Sequence, residues 1–125
     1  MEGEKGGLKT SLFHFTTWPD HGVPDYATPV LAFHRRVKSQ HNPSKGPLLI
    51  HCSAGVGRTG TFIVIDNVLD QIATEGVVDI SGAIVKARNQ RMKLVQTQVI
   101  IVHACTDQPV LLILCLHVGS ICVHP

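Results

Sequence analysis

No Cys-x-x-Cys pair occurs in this 125-residue chain, and its four cysteines, at positions 52, 105, 115 and 122, follow no regular ladder of spacings. A disulfide framework is therefore poorly supported, and a reducing compartment such as the cytoplasm is favoured. A charge excess is missing too. Eleven basic residues against nine acidic ones leave a net +2, which is no signature of nucleic-acid binding. After Met1 the residues "EGEKGG" hold no apolar stretch of the kind found in a signal peptide. Nor does any apolar run reach the roughly 20 residues a membrane span needs. The longest in the C-terminal part, Val110 to Leu116, is flanked by Asp107, Pro109 and His117. No internal repeat or low-complexity tract is present. These absences leave one domain, or part of one, with a modest core.

What is present is an alternation of strand-like and helix-like segments. Leu8 to Phe15 alternates as a strand does, and "TTWPDHGVPDY" after it is a loop with two prolines and a glycine. "TPVLAFHRRVKSQ" predicts a helix with Thr28 as N-cap, Pro29 at the first helical position, and Val30, Phe33 and Val37 on one face. "NPSKG" turns the chain into Pro47 to His51, a short apolar strand of the buried kind. Phe62, Ile65, Leu69 and Ile72 then recur at helical spacing, with Gly76 as terminator. "SGAIVKARNQR" predicts a shorter helix with basic residues toward its C-terminus, where the macrodipole favours them. This order implies an α/β domain.

Between the second strand and the second helix lies "IHCSAGVGRTG" (Ile50 to Gly60). Gly55-x-Gly57-x-x-Gly60 matches the dinucleotide-binding pattern, and Asp79 lies some 20 residues further on. That reading leaves the cysteine unexplained, and the segment around Asp79 offers only a very short strand. Cys52-x5-Arg58-Thr59 is the sharper pattern. A loop of five residues can aim its N–H groups inward at phosphoryl oxygens, with Arg58 adding a two-pronged donor. The positive field that binds a dianion also stabilises a thiolate, so Cys52 is expected well below the thiol value of about 8.5 and nucleophilic at neutral pH. The alternative for a lone cysteine is an inert, buried thiol.

The chain resembles the protein tyrosine phosphatases through three motifs in family order: "FHFTTWPDHGVP", "HCSAGVGRTG" and "VQTQ". The likeness runs from about Leu8 to Gln98, and "GPLLIHCSAGVGRTGTFIVID" looks most like the catalytic domains of receptor-type members. It implies an α/β fold, here a partial one: a central mixed sheet flanked by helices, with the N-terminal part missing. It also implies roles. Cys52 would attack phosphorus to form a cysteinyl-phosphate, with Arg58 and the loop residues Ser53, Ala54, Gly55, Val56 and Gly57 holding the phosphoryl oxygens. Asp20 would be general acid and then base, Gln96 would position the hydrolytic water, and Thr59 would hydrogen-bond the sulfur. His51 would stabilise the loop, and Trp18 and Pro19 would anchor the segment carrying Asp20. The same cysteine loop occurs in dual-specificity and lipid phosphatases, from which Trp18-Pro19-Asp20 with Gln96 separates the tyrosine-specific branch. Phosphotyrosine-containing proteins are the implied partners, and no metal or other cofactor is implied. The alternative function is a catalytically impaired fragment acting as a phosphotyrosine-binding or regulatory module.

The resemblance ends abruptly at about Val99, where Ile100 stands in place of the family's second glutamine. Residues 1–98 thus read as a partial catalytic domain and 99–125 as a divergent apolar tail, with Asp107 its one charged side chain. His103-x-Cys105 and Cys115-x-His117 in that tail would each face one side of an extended chain, but the spacing is not that of a zinc site. With neighbours absent, the two strands are expected to expose unpaired edges and apolar faces.

Overall fold

A computed structural model describes residues 10–19 and 24–96. Leu8, Asp20, Gln98 and the tail with Cys105, Cys115 and Cys122 lie outside the described residues. Three α-helices follow one another: α1 (Thr28–Gln40), α2 (Gly57–Glu75) and α3 (Ile80–Gln90), with a 3-10 turn at Pro43–Lys45 between the first two.

The expected central sheet is absent: no strand forms among the described residues. Residues 10–15 and 47–51 are irregular, and Leu12 and Leu49 stand 82% and 85% exposed. The physical reason is that a strand exists only as a member of a hydrogen-bonded ladder. Alternation and apolar content express a capacity to pair, and these two segments do not pair with each other. The α/β expectation is thereby replaced by a helical architecture over the described residues.

The three predicted helices form, with shifts that have local causes. Helix α1 begins with Thr28 itself; Ala27 occupies the cap position, and Pro29 sits in the first turn, where its missing N–H costs nothing. Val30 and Val37 are buried as expected, joined by Leu31 and His34. Helix α2 ends at Gly76 in the left-handed conformation (φ 69°), whose N–H bonds Ile72 O at 3.0 Å. Its most buried face is Thr61, Val64, Ile65 and Val68, one stripe over from the predicted one, while Phe62, Leu69 and Ile72 are half-buried on the flank. The apolar surface of α2 is wide because other elements pack along two sides of it. Helix α3 is capped by Asp79, whose carboxylate accepts from Gly82 N at 2.8 Å. Asp79 is thus an N-cap, which removes the acidic partner the dinucleotide pattern required. Asp79→Ala is expected to cost about 1 kcal/mol of stability. Urea unfolding followed by circular dichroism measures it, and an unchanged midpoint would refute the cap's contribution.

The core joins all three helices: Ala27, Val30 and Leu31 meet Val64, Ile65 and Val68, which meet Ile84, Ala87, Leu94 and Val95. Each fully buried Val or Ile contributes about 1.5–3 kcal/mol relative to an exposed one. Trp18, Phe15, Phe33 and Phe62 extend this core as a chain of ring contacts 5.2–6.3 Å apart. Beside them, α1 and α2 are tied by His34 Nε2 to Asp66 Oδ1 at 2.7 Å and by Lys38 Nζ to Asp66 and Asp70 at 2.8 and 3.1 Å. His34 and Lys38 hold the Asp66 carboxyl below the usual carboxylate range despite its burial. No helix among the described residues is long and apolar enough to cross a membrane.

Candidate active site

The site is the turn between residue 51 and the first turn of α2. Residues 53–56 bend, with Gly55 at φ 66°, a value that favours glycine. The bend folds the chain back over the cysteine, so that Gly55 N–H donates to Cys52 Sγ at 3.2 Å. Helix α2 starts one residue past the bend, and Val56 at its cap position offers no side-chain bond. Its first N–H groups and the positive end of its dipole are left to whatever lies in the loop.

Cys52 is half-buried and free of any disulfide. Burial pushes its thiol up, but the Thr59 side chain and backbone and the N–H groups of Gly55 and Val56 outweigh burial and bring it down to about 7. Thr59 Oγ1 is buried and meets no partner at hydrogen-bond geometry. Its influence on the sulfur is therefore that of a nearby dipole, while the Gly55 N–H makes the formed bond. The loop stabilises negative charge at Sγ.

The remaining expected residues fall into three groups. Ala54, Gly55, Val56, Gly57 and Thr59 line the turn around the sulfur or lead out of it. Arg58 lies in the first turn of α2 and is exposed, as are Ser53 and His51, and none of these three side chains forms a hydrogen bond among the described residues. Gln96, some 40 residues on in sequence, comes to the same place: a Cβ on Gly57 would stand 3.2 Å from Gln96 Cδ. Trp18 is half-buried and packs edge-to-face on Phe15, with Pro19 exposed beside it. Asp20 lies outside the described residues.

A family model described as protein-tyrosine phosphatase matches residues 1–108. The chain belongs to the protein-tyrosine phosphatase family. Its relatives include receptor-type tyrosine-protein phosphatase S of Gallus gallus, 59% identical over 86 residues, which cover 69% of this chain and 6% of that protein. Receptor-type tyrosine-protein phosphatase F of Danio rerio is 56% identical over 93 residues, 73% of this chain and 5% of that protein. The chain thus spans a small part of the length of the curated relatives it matches.

Seen as a tyrosine-phosphatase segment, the chain shows contacts around the loop that its sequence did not reveal. The turn 91–96 packs against it: Val95 N donates to Val56 O at 3.1 Å, and Arg91 Nη2 reaches Ala54 O at 3.4 Å. Arg88 holds the turn in place, its Nε donating to Leu94 O at 2.9 Å and its Nη2 to Val95 O at 2.7 Å. In the sequence these arginines read as basic residues favoured by a helix C-terminus, and only their side-chain partners distinguish them from that role. The groove along residues 11–14 and α1, about 360 Å³ and lined by Phe33, Arg36 and Gln40, includes none of the loop residues. Among the described residues no group of three or more His, Cys, Asp or Glu side chains gathers to hold a metal ion.

Proposed function

We propose that this chain carries the phosphoryl-accepting site of a protein-tyrosine phosphatase and that Cys52 is its nucleophile. The observation that carries the reading is the loop folded over a half-buried sulfur, with the Gly55 N–H on Sγ and the thiol lowered to about 7. A group held in that state is about half thiolate at neutral pH, and the thiolate is the form that attacks.

In the first step the Cys52 thiolate forms an S–P bond as the bond from phosphorus to the tyrosine oxygen breaks. Asp20 gives its proton to that oxygen. Arg58 and the loop N–H groups hold the three non-bridging oxygens as charge builds on them. In the second step water, placed by Gln96, forms the new P–O bond while S–P breaks and the electron pair returns to sulfur. Asp20 takes the water's proton, and Thr59 favours the departing thiolate. Ser53, Ala54, Gly55, Val56 and Gly57 shape the cradle, with His51 behind it and Trp18 and Pro19 anchoring the segment that carries Asp20. The reaction so written needs no metal. By likeness to the receptor-type relatives, the substrates are phosphotyrosine-bearing proteins. Residues 1–98 form the catalytic part of the chain and 99–125 a separate tail, and a reducing compartment such as the cytoplasm suits the free thiolate.

The test is to capture the intermediate. Rapid acid quench of the chain with an isotopically labelled aryl phosphate should leave one labelled phosphoryl group per active chain, on the peptide containing Cys52. Label on a serine or histidine, or hydrolysis with no protein-bound label at any time, would reject the proposal.

A further inference from the structure

We infer that Arg88 is a positioning residue for the second chemical step, acting through the turn that carries Gln96. This rests on the reading above. The turn is held in an unfavourable shape: Lys93 and Val95 have φ of 66° and 62°, and Val95 is β-branched and fully buried. A non-glycine residue in that region costs of order 1–3 kcal/mol and persists only where its surroundings over-determine it.

Arg88 contributes to that determination at Val95. Its guanidinium donates to the carbonyls of two successive residues, Leu94 and Val95, at 2.9 and 2.7 Å, fixing the peptide planes on either side of the strained position. The far side of Val95 is tied to the phosphate-binding loop through its N–H on Val56 O. Gln96 follows directly, its amide lying against Gly57 at the foot of α2. A guanidinium with donors in a rigid fork suits two carbonyls at once, and a lysine ammonium is a single point donor. The path from α3 to the loop therefore runs Arg88, Leu94–Val95, Gln96, and it bypasses Cys52 and Arg58. Loss of Arg88 frees the Gln96 backbone and leaves the attacking sulfur in place.

The two steps separate this role from a structural one. In the full chain with an aryl phosphate, Arg88→Met is expected to lower kcat about tenfold while kcat/KM stays within about twofold, because kcat/KM reports only formation of the cysteinyl-phosphate. KM falls in parallel, and rapid mixing should show a burst of aryl alcohol approaching one equivalent per chain. Arg88→Lys keeps the charge and the apolar stem and should show the same pattern more weakly; it serves as the reading if the methionine variant fails to melt cooperatively. A parallel fall in kcat and kcat/KM without a burst, or no change in either variant, overturns the role of Arg88. Absence of any Cys52-dependent turnover in the unsubstituted chain overturns the phosphatase reading itself, and this inference with it.

Discussion

Cys52→Ser should abolish turnover of a small aryl phosphate, with a loss of at least about 10⁴-fold, the scale of nucleophile deletions in enzymes that work through a covalent intermediate. The substitution is small, and the backbone of the loop can stay as it is. What changes is ionisation. The loop brings the thiol to about 7 through Thr59 and the N–H groups of Gly55 and Val56, against the opposing effect of burial, whereas an alcohol starts too far above neutrality for the same field to ionise it. Phosphate affinity should survive, since Arg58 and the loop N–H groups are untouched, so the variant separates binding from chemistry. The sign of the pH dependence follows from the same value. The deprotonated form is the nucleophile, so alkylation of Cys52 by iodoacetamide should accelerate as pH rises through about 7 and level off above it. Peroxide should modify Cys52 before the three tail cysteines for the same reason. A serine variant within tenfold of the parent, or alkylation rising only above pH 8, would remove Cys52 from its assigned role.

Gly60→Ala is expected to destabilise the chain by about 3 kcal/mol, at the upper end of the cost of overpacking a core. A Cβ there would stand 2.5 Å from Val95 N and 2.9 Å from Leu94 Cδ2. The first of these is backbone that already donates to Val56 O, and Gly60 N bonds the same carbonyl at 3.1 Å. The methyl group therefore cannot be relieved by turning one flexible side chain. Either α2 or the 94–96 turn must move, and both lead to the loop. A loss of this size lowers the thermal midpoint by about 10 °C or more. Gln96 is carried with the turn, so the hydrolytic step should weaken as well, with bound phosphoryl group accumulating on Cys52. Urea titration by circular dichroism and the rapid-quench assay read the two effects separately. A midpoint unchanged within the error of the titration would show that the glycine is not required by close approach.

Much of the local structure was legible. The 3.6-residue spacing of Val30 and Val37, the glycine at 76 and the basic end of the third segment each specify a helix through interactions within a few residues of chain, and each helix forms. The strands were misjudged for the complementary reason: Leu8 to Phe15 and Pro47 to His51 have apolar patterns that suit a sheet, but a sheet is made by partners distant in sequence. Asp79 shows the same limit in small. Its distance from the glycines fits the dinucleotide pattern, whereas the N–H of Gly82, three residues on, makes it a cap.

The candidate site divides along this line. Sequence by itself determined that a cysteine, a five-residue spacer and an arginine stand at the start of a helix, because those relations are local and the helix N-terminus supplies its own field. It also determined the family, through motifs too specific to arise from composition. Tertiary structure alone decided that Val95 would accept a left-handed backbone, that Arg88 would bind two carbonyls, and that Gln96 would lie on Gly57 across 38 intervening positions. Such a turn opposes its own local preference. It is held by packing and hydrogen bonds from elsewhere in the chain, which no reading of residues 91–96 in isolation contains.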